Sequence, residues 1–324
     1  MTRPLGIAGA GLAGLACALE LLRQGHQVTL YDQAPAPGGS VARYAGGMLA
    51  PWCEGESAEP QVVQLGAGAA DWWARITPVT RRGTLVLTPP RDRSELARFA
   101  RMTERHEQVD GAAIAGLEPQ LAGRFQQGLL FRDEAHLDPR RALRDLADAV
   151  TNAGGVIHWE TPAPPDVAIV TTGMAAPLPG LRPVRGEMAI LQAPEVAITR
   201  TIRLLHPRMP LYVVPRADGH YMIGATMVES SSTRAASLRS LTEMFSATFA
   251  LHPGFAEAAV VETGAGLRPA FADNLPRIIE QDGQMHLNGL YRHGFLLVPA
   301  MAARMAAHFT KGNDHADHRQ RASA

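Results

Sequence analysis

Apolar and polar positions fall in two textures along the chain. Leu5, Ile7 and Ala8 open a short apolar strand, an apolar helical stretch covers 12–23, and 27–31 reads as a second strand ending at Asp32. Gly9, Gly11 and Gly14 lie at the first junction, and Gly25 stops the helix. Together they make a strand–turn–helix–strand unit of about thirty residues. Helices are then expected over 62–76, 93–107 and within 111–122, and strands over 83–88 and 128–131. Asp138 at an N-cap and Pro139 at the first helical position start a helix that Gly154-Gly155 end. Strands follow at 156–159 and 167–171, the latter apolar throughout, as in a parallel sheet buried on both faces. From 183 the texture changes. Strands over 183–192, 204–206, 211–215 and 221–225 follow closely, with Asp218-Gly219 as a hairpin turn. A helix over 238–249 and a strand over 260–266 complete this block. A strand over 286–290 and a helix over 295–309 return to the first texture.

The patterns predict an α/β protein: a Rossmann dinucleotide-binding domain with an inserted α+β domain built on an antiparallel sheet. The expected division gives 1–60, 130–182 and 264–311 to the dinucleotide-binding part and 61–129 and 183–263 to the inserted part. Residues 312–324 form a polar tail expected to be disordered.

The glycines carry the first chemistry. In G-x-G-x-x-G the first glycine makes the tight turn, the second lets backbone approach a pyrophosphate, and the third lets helix and strand pack closely. The helix start offers unpaired N–H groups and a positive dipole end to phosphates. Asp32, eighteen residues past Gly14, stands where a carboxylate accepts hydrogen bonds from ribose hydroxyls. The motif does not separate NAD from FAD. The glycine-bearing stretch QAPAPGGSVARYAGGMLAP suggests backbone lying against a ligand, and Thr171-Thr172-Gly173 brings backbone to the ligand-binding edge of the sheet.

Composition narrows the classes. Across 324 residues Lys+Arg and Asp+Glu both number 31, so neither net charge nor a basic run points to nucleic acid. Arg3 and the apolar residues after it mimic a secretory leader, but the first unit uses those residues, and Glu20 and Arg23 interrupt any membrane span. Cys17 and Cys53 form neither a disulfide framework nor a zinc spacing, so the cytoplasm is the expected location. His308, His315 and His318 read as a solvated tail rather than a metal site.

Separated motifs then align with one family. GAGLAG (9–14), GGMLAP (46–51), DPRR (138–141), VRGEM (184–188), YVVPRADGHYMIGATM (212–227), GAGLRPAFADNLPRI (264–278) and NGLYRHGFLLVPAMA (288–302) run end to end in the family's order. On these the chain resembles the ThiO-type FAD-dependent glycine oxidases of the D-amino-acid oxidase and sarcosine oxidase superfamily. The resemblance implies a glutathione-reductase-like FAD domain, non-covalent FAD and an oligomeric, often tetrameric, assembly. It implies FAD contacts at Gly9, Gly11, Leu12, Ala13, Gly14, Asp32, Gln33, Ser40, Val41 and Gly173. Gly46, Gly47 and Met48 would pack on the flavin ring, and Tyr291, Arg292, His293, Gly294, Phe295 and Leu296 would cover its pyrimidine edge. The chain departs from the family between Trp159 and Val167, where about seven residues with three prolines replace a longer β-meander and shorten the adenine side around Ala163.

The expected substrate residues follow. Arg268 offers a two-pronged fork to an amino acid's carboxylate, with a structural ion pair as the alternative. Tyr212 would donate to the same carboxylate unless it is only a half-buried sheet tyrosine. Met227 would form a small apolar wall or a core contact, and Arg292 would add charge near carboxylate and flavin. The implied reaction oxidises glycine, or another small amine, to an imine with dioxygen as acceptor, in the service of thiamine thiazole synthesis. No side-chain base is required. Sarcosine, D-amino acids, proline, a quinone acceptor, a non-catalytic FAD scaffold and an NAD-dependent dehydrogenase are the competing readings.

Overall fold

The computed structural model describes residues 4–206 and 209–321. Leu5–Ala8, the helix Leu12–Arg23 and Val28–Tyr31 form the first unit, the two strands pairing in parallel with Leu5 opposite Val28. They lie in a six-stranded sheet of order Arg277–Gln281, Gln284–Asn288, Ile169–Val170, Leu5–Ala8, Val28–Tyr31, Val156–His158. All pairings are parallel except the hairpin Arg277–Gln281 with Gln284–Asn288. Helix Leu12–Arg23 packs between Pro139–Asn152 and the final helix Gly294–Arg321. Ile7, Leu15, Leu30, Leu146 and Leu297 share this core and are fully buried. Each such side chain stabilises the fold by about 1.5–3 kcal/mol through burial.

The second sheet has nine strands. Its order runs Val228–Glu229, Arg182–Gln192, His220–Gly224, Leu211–Pro215, Thr201–Leu204, Thr84–Leu87, Gln127–Phe131, Glu107–Asp110, with Ala259–Ala270 on the other side of Arg182–Gln192. Thr201–Leu204 pairs in parallel with Thr84–Leu87, so the sheet is mixed rather than purely antiparallel. The expected hairpin turn forms with both Asp218 and Gly219 at positive φ. Met188 pairs with Gly224 and Arg185 with Val228 on one edge. The break between these pairs throws Ala225–Met227 out of the ladder.

Four expectations change. The helix expected over 62–76 is two, Pro60–Gly66 and Ala69–Ala74, broken around Gly68. A Cβ on Gly66 would lie 2.6 Å from the Leu296 side chain, so the glycine lets the first of the two helices meet the last helix. The helix expected over 93–107 ends at Met102, and Glu107–Asp110 becomes a charged edge strand that blunts unwanted pairing. Residue 264, expected to begin the return to the dinucleotide-binding part, falls inside Ala259–Ala270, because hydrogen bonding to Arg182–Gln192 continues to Ala270. The last helix covers 312–321, where a disordered tail was expected. No proline interrupts that stretch, and Gly312 costs only about 1 kcal/mol against helix. Residues 322–324 and the side chains of His315 and His318 lie outside the described residues. Among the described residues, no helix is long and apolar enough to cross a membrane.

Candidate active site

A cavity of about 1250 Å³ starts at the C-terminal ends of the parallel strands and continues over the nine-stranded sheet. The three motif glycines shape its first end. Gly9 takes φ 94°, and a Cβ there would lie 2.9 Å from the Thr171 carbonyl oxygen. A Cβ on Gly14 would lie 1.8 Å from the Gly9 carbonyl oxygen. Gly11 is the N-cap of helix Leu12–Arg23 and faces the cavity with no side-chain cap, which leaves helix N–H groups for a ligand. Asp32 accepts hydrogen bonds from Ala10 N–H at 2.6 Å and Ala34 N–H at 2.8 Å. The carboxylate thus ties the glycine turn to the loop after Val28–Tyr31 and lines the cavity. Thr171 Oγ1 donates to the Ala8 and Gly9 carbonyls and closes the turn from the other side.

The middle is walled by the 46–48 loop. Gly47 has φ 70°, and a Cβ there would lie 2.3 Å from the Leu137 carbonyl oxygen. Arg216 donates to the Gly46 carbonyl at 2.7 Å and the Leu137 carbonyl at 3.0 Å, clamping the loop. Burial lowers the Arg216 pKa to about 10. Gly294 begins the final helix, whose N-terminus faces the same space.

At the far end, Arg268 projects from Ala259–Ala270 across Gly186. A Cβ on Gly186 would lie 2.1 Å from the guanidinium carbon, so only glycine leaves room for it. Arg268 donates to the Thr226 carbonyl at 2.9 Å, and among the described residues no carboxylate pairs with it. Burial, with Arg292 nearby, brings its pKa down to about 10. Beside it, Glu54 Oε2 lies 2.7 Å from the Arg292 guanidinium and 2.9 Å from His293 Nε2. Burial alone would raise the Glu54 pKa, but Arg292 and His293 hold it well below the usual carboxylate range. Burial lowers the His293 pKa, and the Glu54 carboxylate beside it works against that shift. Tyr212 Oη stands 3.5 Å from Glu54 Oε1, and burial raises its pKa.

The family model of the FAD dependent oxidoreductases, DAO, matches residues 5–308. The chain belongs to the DAO family. Like that family it is an FAD-dependent oxidoreductase. A Rhizobium etli protein provisionally named thiamine biosynthesis oxidoreductase ThiO is 52% identical over 307 residues, covering 92% of this chain and 94% of the relative. A glycine oxidase from Pseudomonas putida is 24% identical over 348 residues, covering 93% and 92%. The crystal structure of glycine oxidase from Geobacillus kaustophilus superimposes with a TM-score of 0.78 at 20% identity, covering 94% of each chain.

In this DAO-family chain every residue expected at the site lines the cavity except Gly14. Gly14 stands behind the turn, where its missing side chain lets helix and strand touch. Ala163 lines the cavity despite the shortened segment, packed with Ala8, Tyr31, Val167 and Val170. Met227 differs from the wall expected of it: its side chain is half exposed at the cavity's edge. Sequence reasoning missed Glu54 and Arg216, and it placed Thr171 at the ligand-binding edge without the turn-closing role of its hydroxyl. The signal for Glu54 was the first acid after the apolar GGMLAPWC run. Arg216 lies inside the motif 212–227, where nothing in the sequence singles it out. Cys17 and Cys53 are buried and unbridged, and burial raises the Cys17 pKa to about 12, so it is no nucleophile.

Proposed function

We propose that this protein oxidises glycine, with FAD as cofactor and dioxygen as electron acceptor. The products would be the imine, or glyoxylate and ammonia after hydrolysis, together with hydrogen peroxide, and the imine would serve thiamine thiazole synthesis. The names of the relatives support this reading, and one observation carries it: a half-buried guanidinium, Arg268, faces the cavity without an acidic partner among the described residues. Such a group calls for an anion, and an amino acid brings a carboxylate matched to the fork.

The cradle fits FAD, since added Cβ atoms at Gly9 and Gly47 would strike backbone and an uncapped helix start faces the cavity. In this reading Gly9, Gly11, Asp32, Gln33, Ser40, Val41, Ala163 and Gly173 hold the adenosine and pyrophosphate. Gly46–Met48 and residues 291–296 hold the ring system. The six-stranded sheet carries the cofactor and the nine-stranded sheet supplies the substrate wall. FAD, when bound, supplies the two-electron acceptor.

Arg268 fixes the substrate carboxylate, and Tyr212 turns its hydroxyl to the same group, because its contact to Glu54 is long. Glu54 is ionised and engaged by Arg292 and His293, so it positions those residues rather than removing a proton. Met48, Met188 and Met222 keep water off the reacting carbon. The amine reacts in its neutral form, and orientation is the protein's main contribution.

The test is the visible spectrum of the purified protein under nitrogen, before and after glycine. Bleaching of the flavin band, followed on admitting air by peroxide in a coupled assay, is expected. A band that survives glycine overturns the substrate assignment. Bleaching without peroxide in air overturns dioxygen as acceptor.

A further inference from the structure

Six of the chain's twelve methionines line the large cavity: Met48, Met174, Met188, Met209, Met222 and Met227. Five are buried or half-buried, while Met227 is 51% exposed. The break in the sheet edge before Val228 carries it out to the rim. There its sulfur accepts hydrogen bonds from Tyr291 Oη–H at 3.3 Å and Arg292 Nη1–H at 3.5 Å. Met227, Tyr291 and Arg292 also border a second cavity of about 240 Å³, on the side of Ser57 and Asn274. Met227 therefore stands in the partition between the reaction space and a smaller outer chamber.

We propose that Met227 is a modification site for hydrogen peroxide leaving the cavity, and that its sulfoxide slows turnover. The proposal rests on the oxidase reading above, which supplies the peroxide. The thioether sulfur attacks one peroxide oxygen, an S–O bond forms and the O–O bond breaks. The second oxygen departs as water, with the proton released from the transferred oxygen. Sulfur loses two electrons and the peroxide gains them. Tyr291 and Arg292 donate to the departing oxygen and afterwards to the sulfoxide oxygen, a far stronger acceptor than a thioether. Arg292 is the partner of Glu54, so a new acceptor at Met227 competes for it and loosens the wall beside Arg268. Product accumulation thereby restrains the enzyme that makes it.

The molecule contains its own control. Met102, at the end of helix Arg93–Met102, is 48% exposed, and Arg98 Nη1 lies 3.2 Å from its sulfur, but it does not border the cavity. Exposure and a neighbouring arginine are thus matched, while Met102 lacks both the position at the cavity and a tyrosine donor like Tyr291.

The experiment is turnover of the FAD-loaded protein on glycine in air with catalase in the bulk solution, followed by peptide mass spectrometry and residual activity. Met227 sulfoxide is expected to accumulate ahead of Met102 sulfoxide, with activity falling in step. Equal oxidation of the two methionines, or Met227 oxidation without loss of activity, overturns the proposal. Should no peroxide form in turnover, the oxidase reading fails, and reagent hydrogen peroxide then tests the site by itself. In that arm dye-linked activity of the protein and of Met227→Leu is read against each one's untreated value. Loss that tracks Met227 sulfoxide and is absent from Met227→Leu keeps the site, and equal loss in both overturns it.

Discussion

Arg268, half-buried, and Glu134, fully buried, show two fates of a charged group drawn into the fold. Arg268 keeps its charge by facing a cavity, and its role can be tested by truncation. Arg268→Ala should retain bound flavin but lose about 100- to 1000-fold in kcat/KM for glycine, as expected from losing a two-pronged charged contact of roughly 3–4 kcal/mol. Steady-state kinetics beside the flavin spectrum would check this, and near-normal kcat/KM would remove the carboxylate anchor. Glu134 is fully buried and accepts a hydrogen bond from Cys53 N–H at 2.6 Å. Burial pushes its pKa up to about 8 from 4.5. The folded state thus binds the proton more tightly than the unfolded one. Its contribution is fully present below pH 4.5 and is lost as pH rises through about 8. A shift of that size corresponds to something on the order of 3–5 kcal/mol. Glu134→Gln should therefore be stabilised relative to the parent more at pH 8 than at pH 5. Urea midpoints of both proteins at the two pH values would show it, and a gap independent of pH would contradict it.

Among the elements, helix Leu12–Arg23 was legible because three signals agreed: flanking apolar strands, glycines at fixed offsets and a closing Gly25. Gly14→Ala tests the agreement. Its methyl would need to occupy a position 1.8 Å from the Gly9 carbonyl oxygen, so helix and strand must separate. A stability loss of about 2 kcal/mol or more and weakened flavin retention are expected, read by Tm and by flavin absorbance after gel filtration. The helix over 62–76 was misread because Trp72 and Trp73 kept the apolar count high across a break that Gly68 permits. Edge strand Glu107–Asp110 was invisible because its exposed charged residues carry no alternating apolar signal, only Val109 being buried. Within the site, the backbone-facing glycines were legible because close approach demands that residue type. Glu54 and Arg216 were not, because their importance lies in partners 239 and 170 positions away in the chain.

At the scale of the molecule, two sheets share one cavity, and both draw on distant stretches of chain. Thr84–Leu87 pairs with Thr201–Leu204, and Ile169–Val170 lies between Leu5–Ala8 and Gln284–Asn288. This interleaving explains why sequence texture gave the two kinds of sheet while a cut at 264 fell within a strand: a long strand serves both sides of the cavity. The final helix, packed on Leu12–Arg23, puts its first turn where the cavity turns from one sheet to the other.

That interleaving dictates an order of events during biosynthesis. The glycine turn is translated early, yet the strand Gln284–Asn288 and the helix that back it are translated long after it. The nascent chain therefore carries an unfinished nucleotide site through most of translation. A chain terminated after residue 283 should emerge colourless when purified with added FAD, with the longer chain yellow in parallel, because the flavin site stays incomplete until strand Gln284–Asn288 and the helix after it have been made.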